Sequence, residues 1–155
     1  MRVVLDSNVL IAAFATRGLC ESLVEVCLSD HEIILSEHLL SEVQRNLTVK
    51  IRLPIGIIQD IISLLRDRGT LMVPDFVGED ACRDADDIPI LGLAQAASAD
   101  CIVTGDKDLL VVGRFGTIPI YSPRMFADSL RQEKASNQAA QSDSQGCRVL
   151  KNRGD

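Results

Sequence analysis

Polar and apolar positions along the chain fall into blocks that switch between the strand period and the helix period. Val3-Val4-Leu5 is an apolar run too short for a helix, closed by Asp6. It reads as a buried parallel strand over Arg2–Leu5 that delivers a carboxylate to the edge of a sheet. Asn8 is placed to cap a helix running through Phe14. Thr16-Arg17-Gly18 interrupts it, and Leu19, Leu23, Val24 and Cys27 resume at helical spacing with Glu21 and Glu25 on the opposite face. Glu32-Ile33-Ile34-Leu35 is a second strand, and Ser36 caps a helix through Leu47. Its apolar stripe is Leu39, Leu40, Val43 and Leu47, so Glu42 falls beside the stripe, toward the strands.

Pro54 opens the next helix, with Ile57, Ile58, Ile61, Ile62, Leu64 and Leu65 at helical spacing and Gly69 as its stop. That apolar content predicts neighbours on two sides. Leu71 to Pro74 is a brief extended segment and Asp75 to Arg83 a loop, after which Asp84-Ala85-Asp86-Asp87 begins a helix ending near Ser98. Cys101 to Thr104 is an apolar strand that ends in Gly105-Asp106-Lys107-Asp108. Thr117 to Tyr121 is a last short strand, where Pro119 points to an edge position. Ser122-Pro123 opens a final helix through Leu130.

From Glu133 onward small and polar residues dominate. The expected organisation is one domain over 1–132 and a disordered tail over 133–155, with a partner-binding segment as the alternative for the tail. Alternating strands and helices predict an α/β fold: a three-layer α/β/α arrangement around a central, mainly parallel sheet. Right-handed crossovers then gather the carboxyl ends of the strands on one edge.

Composition changes this picture in two places. Aromatic residues make up 3% of the chain and Trp is missing, which predicts an aliphatic core and argues against platforms that stack bases. The net charge of −6 argues against nonspecific phosphate binding, unless the acids are there to hold cations. The cysteines Cys20, Cys27, Cys82, Cys101 and Cys147 form no CxxC pair, which favours a reducing compartment and small apolar roles. With no apolar run of membrane-spanning length and no signal-peptide pattern, a cytoplasmic protein is expected.

The acids are the candidate chemistry. Asp6 and Asp106 each follow a strand and so reach the same sheet edge, while Glu42 and Asp87 arrive if their helices lean over it. Carboxylates are the ligands that Mg²⁺ or Mn²⁺ prefers, and metal-assisted phosphodiester hydrolysis is the chemistry such a cluster suits. Asp84, Asp86 and Asp87 also fit a plain acidic helix start favoured by the macrodipole. There is no GxGxxG after a strand, no GxxxxGK[ST] and no GxSxG. His38 reads as a surface helix residue.

The segments VVLDSNVLIAA, LSEHLLSEV, CRDADDIPILGLAQAASADCIVTGDKDLL and IPIYSPRMF resemble, in order and spacing over about residues 1–128, the PIN-domain family. They are most similar to its bacterial branch of toxin components of toxin–antitoxin pairs, the VapC-like ribonucleases. The resemblance implies that Asp6, Glu42, Asp87 and Asp106 are catalytic and bind Mg²⁺ or Mn²⁺. Asn8 and Thr104 would brace them, and Asp108 would be an additional acid. Ile88 and Pro89 depart from the polar residues usual in the branch, which leaves Asp86 and Asp87 both open as the third ligand. The implied activity is endonucleolytic cleavage of single-stranded or structured RNA by a cytoplasmic homodimer silenced by a cognate antitoxin. The alternative is a PIN-like partner-binding module with weak or no nuclease activity. Arg17, Lys50, Arg52 and Lys107, in or next to loops, are candidate contacts to the RNA backbone.

Overall fold

A computed structural model describes the backbone of residues 1–149 and the side chains of residues 1–142. The chain divides into two units, Met1–Pro123 and Arg124–Asp155. The first holds the sheet and the candidate site.

Three short strands form where β-branched and aliphatic runs were expected, β1 (Arg2–Leu5), β2 (Glu32–Leu35) and β4 (Cys101–Val103), while β3 (Thr70–Leu71) shares only Leu71 with the expected extended segment Leu71–Pro74. Two more follow, β5 (Arg114–Phe115) and β6 (Ile118–Tyr121). Among the described residues they make one sheet in the order β3-β2-β1-β4-β6-β5. Every pairing is parallel except that of β5 with β6. Val3, Val4, Leu5, Ile34, Ile102 and Val103 are at most 1% exposed, as befits strands covered on both faces.

The helices are α1 (Ser7–Ala15), α2 (Leu19–Asp30), α3 (Glu37–Asn46), α4 (Ile55–Arg68), α5 (Ile88–Ala96) and α6 (Lys107–Val112). From β1 the chain steps outward through β2 to β3. It then crosses back by α5 to β4, on the other side of β1. The order therefore reverses between β1 and β4, and such a switch point opens a crevice at the carboxyl ends of the two strands. This is the α/β class expected, with a central, mainly parallel sheet.

Several local expectations need correction. The first helix is capped by Asp6, whose carboxylate accepts from the Ser7 N–H at 2.7 Å; Asn8 lies within the first turn. Asp84 caps a 3₁₀ turn, Ala85–Asp87, and α5 itself begins at Ile88 with Pro89 in its first turn. A π-helical turn, Leu47–Ile51, extends α3 and ends at Arg52, which has φ 58°. In α4 only Ile58, Ile61 and Leu65 are buried, while Ile55, Ile57 and Leu64 are exposed, so that helix packs on one side and not two. Pro119 lies in β6, which is flanked by β4 and β5 and is not the edge. It pairs with Arg114 of β5, where the ladder bond is donated by the next N–H, that of Ile120 to the Gly113 carbonyl, and β6 meets β4 through Ile120 and Tyr121, so the missing N–H of Pro119 is not called on.

The second unit contains α7, which runs Pro123–Val149 and so continues past Glu133. Its described side chains from Arg131 to Ser142 are all exposed. Residues 150–155 of the expected tail lie outside the described residues.

Candidate active site

The parallel register of β1 on β4 sets Leu5 opposite Val103, and the Asp6 N–H continues the ladder to the Val103 carbonyl at 2.9 Å. The next residues on the two strands, Asp6 and Thr104, are thereby neighbours at the switch point. Both are buried, Asp6 at 8% exposure and Thr104 at 0%.

A buried carboxylate must be satisfied, and this one is. The Thr104 hydroxyl donates to Asp6 Oδ2 at 2.7 Å and Asn8 Nδ2 donates to the same oxygen at 3.2 Å. Asn8 Oδ1 accepts from the Gly105 N–H at 3.1 Å, tying α1 to the loop after β4. The Thr104 hydroxyl oxygen also accepts from the Asp106 N–H at 3.0 Å. Asp106 caps α6 by accepting from the Asp108 N–H at 2.8 Å. One hydroxyl thus fixes the acid after β1 and the backbone of the acid after β4 together.

A cleft of about 240 Å³ opens above this network, and Asp6, Glu42, Asp84, Asp86, Asp87 and Asp106 all line it. Asn8 and His38 are on its wall as well, His38 from an exposed position. Glu42 reaches it from α3 because the buried face of that helix, Leu39, Leu40 and Val43, turns the neighbouring position toward the sheet. Asp87 reaches it from the end of the 3₁₀ turn.

The electrostatics record this crowding. Burial raises the Asp6 carboxyl above its usual range against the hydrogen bonds from Thr104 and Ser7, and Glu42 and Asp106 raise it further. Asp87 is pushed up to about 7, first by burial and then by the negative charges of Asp106, Asp6, Asp84 and Asp108. The Cys82 thiol donates to Asp87 Oδ2 at 3.9 Å. Cys82 is buried and was not foreseen as part of the site; its spacing of five residues from Asp87 carries no signal in the sequence.

The candidates thus divide. The cleft brings together Asp6, Glu42, Asp87, Asp106, Asn8 and Asp86, with Thr104 directly beneath. Asp86 is exposed whereas Asp87 is buried with its carboxyl perturbed. Asp108, whose N–H donates to Asp106, does not line the cleft, and neither do Arg17, Lys50, Arg52 and Lys107, which are all exposed.

Whether the cleft suits a divalent ion can be tested on its donors. Among the described residues, no group of three or more His, Cys, Asp or Glu side chains stands in a metal-holding arrangement. Mg²⁺ requires no such cage, since one or two carboxylates with water completing the octahedron suffice. The acidic donors are hard oxygens, and the mutual repulsion that raises Asp87 is what a cation would relieve. By chemistry the residues fit.

A mainly parallel α/β sheet with an acidic cleft at its switch point defines the class: an α/β protein whose candidate site lies at the carboxyl ends of its central strands. The sequence profile of the PIN domain matches residues 2–108, and the chain belongs to the PIN domain family. Among solved structures it is similar to the crystal structure of VapBC2 from Rickettsia felis bound to a DNA fragment from their promoter. The TM-score is 0.56 at 16% identity, over 79% of this chain and 98% of that one. The PIN domain endonuclease Utp24 gives a TM-score of 0.49 at 19% identity, over 78% of this chain and 84% of that one. At 16% identity the likeness to VapBC2 concerns the fold alone. No curated protein matches the sequence.

Proposed function

We propose that the protein is a divalent-metal-dependent endoribonuclease, the toxin component of a toxin–antitoxin pair acting in the cytoplasm as a homodimer. The observation that carries the nuclease reading is the convergence of Asp6, Glu42, Asp87 and Asp106, four carboxylates from distant parts of the chain, on one cleft. Keeping such acids together opposes folding unless a cation offsets their repulsion.

Asp6, Glu42 and Asp87 would hold the principal Mg²⁺ or Mn²⁺, with Asp106 completing the site. When bound, such an ion supplies positive charge to the phosphoryl oxygens and acidifies water at neutral pH. The chain's own part is orientation. Thr104 and Asn8 fix the Asp6 carboxylate, Ser7 holds its other oxygen, and Cys82 restrains Asp87. Exposed Arg17, Lys50, Arg52 and Lys107 remain proposed contacts to the RNA backbone outside the cleft, with Asp86 and Asp108 as supporting charge.

The test is cleavage of single-stranded and structured RNA with Mn²⁺ or Mg²⁺ by the wild type and by Asp6→Asn. Cleavage by the wild type and its loss in the variant are expected. An inert wild type with both metals, or equal cleavage by Asp6→Asn, refutes the assignment.

One observation favours a second reading, a partner-binding module. Val49, Ile51, Ile55 and Ile57, on the π-helical turn and the start of α4, are 65%, 40%, 75% and 49% exposed. Apolar surface grouped in this way suits a protein partner. Both readings hold together if the partner silences the nuclease, and only the second survives if no RNA is cut.

A further inference from the structure

The loop between β3 and the 3₁₀ turn carries Phe76, which is 91% exposed. Among the described residues it is the sole fully exposed aromatic side chain, since Phe14, Phe115 and Tyr121 are half-buried and Phe126 is buried. An exposed Phe alone is ordinary. This one is held in place from both sides. Before it, the Asp75 N–H donates to the Gly92 carbonyl of α5 at 3.0 Å, and Gln95 Nε2 donates to Asp75 Oδ2 at 3.4 Å. The contact needs Gly92, because a Cβ there would collide with the Asp75 carbonyl oxygen. After it, Val77 is buried at 8% exposure. The ring therefore projects from a backbone tied to the helix that follows Asp87.

Phe76 lines a second, more apolar hollow of about 420 Å³ together with Val77, Ala85, Ile88 and Pro89. That hollow and the acidic cleft share one thin wall. In the turn Asp84–Pro89, Asp84, Asp86 and Asp87 line the cleft, Ala85 and Ile88 line the hollow, and Pro89 lines both. A strand whose phosphate sits among the acids needs to cross only this turn to lay a base in the hollow.

We propose that Phe76 is a stacking platform for a nucleobase next to the scissile phosphate, an inference that rests on the nuclease reading of the acidic cleft. A base is favoured over a protein side chain because the phosphate bound next door tethers it at high effective concentration. Stacking on an aromatic face tolerates any base, so Phe76 adds affinity for unpaired strands without selecting a sequence. A chain poor in aromatics can still stack a base where it places one ring beside its reactive centre.

The chain has no Trp, so Phe76→Trp creates its one tryptophan, which can be excited selectively over the single Tyr. In stopped flow, before turnover, a uridine oligoribonucleotide with Mn²⁺ is expected to quench it. A ribose-phosphate oligomer of the same length without bases is expected not to. In the cleaving enzyme, Phe76→Ala is expected to raise KM about tenfold, the low end of what one stacked base contributes. Phe76→Tyr should restore the wild-type KM, whereas Phe76→Leu, which keeps apolar area without the ring, should not. At 91% exposure the position tolerates all of these without loss of fold.

Wild-type KM in Phe76→Ala or Phe76→Leu, with the wild type cleaving RNA, overturns the proposal and leaves the nuclease reading standing. A lowered sedimentation mass in Phe76→Ala with KM unchanged overturns it in favour of a contact between copies of the chain. A wild type that neither binds nor cuts RNA removes the nuclease reading and this proposal together.

Discussion

Removing one negative charge from the cleft should make the metal-free protein more stable at neutral and alkaline pH, and Asp87→Asn is the substitution that shows it. In an unfolded chain this carboxyl loses its proton near pH 4. In the folded protein it holds the proton up to about pH 7, because burial and the charges of Asp106, Asp6, Asp84 and Asp108 disfavour the anion. A folded pKa above the unfolded one means that the folded state binds more protons through this window. Stability is therefore full below pH 4 and lost as pH rises to about 7. Each tenfold change in proton affinity corresponds to about 1.4 kcal/mol, so the ceiling is about 4 kcal/mol. Asp87 has 9% of its surface exposed, yet the cleft is open to water, which screens the repulsion. Half the ceiling, about 2 kcal/mol, is the expected effect. The assay is urea unfolding followed by circular dichroism, with EDTA present, at pH 5 and pH 8. The wild type should lose stability between the two, and Asp87→Asn should lose about 1 kcal/mol less, since roughly a third of the window lies below pH 5. Since Asp6 is raised in the same direction, part of the slope should persist in the variant. Parallel behaviour of the two proteins, or a wild type that gains stability toward pH 8, refutes the reasoning.

Three further outcomes are expected. Thr104→Val removes the hydroxyl that donates to Asp6 and accepts from the Asp106 N–H while keeping the volume, so Mn²⁺ affinity measured by titration should fall about 10–100-fold. Unchanged Mn²⁺ binding would mean that Asp6 needs no such brace. Gly92→Ala drives a methyl group into the Asp75 carbonyl and should cost about 1–3 kcal/mol in thermal melts, far more than Gly56→Ala, where the added Cβ meets open space. Limited proteolysis of the full chain should cut first beyond Arg131, because an exposed polar helix without a packed face is marginal on its own; a first cut inside Met1–Pro123 would contradict this.

The sequence made the scaffold legible where periodicity and burial coincide. Val3-Val4-Leu5 and Cys101-Ile102-Val103 could only be interior strands, and Asp6 and Asp106 were tied to their ends. Glu42 was legible from the phase of Leu39, Leu40 and Val43, which fixes the face of α3. Contacts made across the fold were not legible. Asp6 caps its own helix while Asn8 turns to Gly105, because the register of β1 on β4 brings that loop within reach. Cys82 meets Asp87 through a loop whose path no period encodes. The six residues of α6 are apolar enough to pass for the end of a strand, and the cap from Asp106 decides for helix. Low aromatic content argued against stacking, but an average over the chain cannot register where one ring stands.

The reversal of strand order between β1 and β4 also fixes when in its synthesis the protein can act. Its acids stand at positions 6, 42, 87 and 106, so the cleft lacks a wall until β4 has left the ribosome and inserted beside β1. That pairing joins residues almost one hundred positions apart and belongs to the late, non-local part of folding. A nascent or truncated chain ending before Asp106 has the strand and helices of the first half but no assembled centre. Under the proposed ribonuclease reading, the winding of the sheet delays activity until most of the chain has been made.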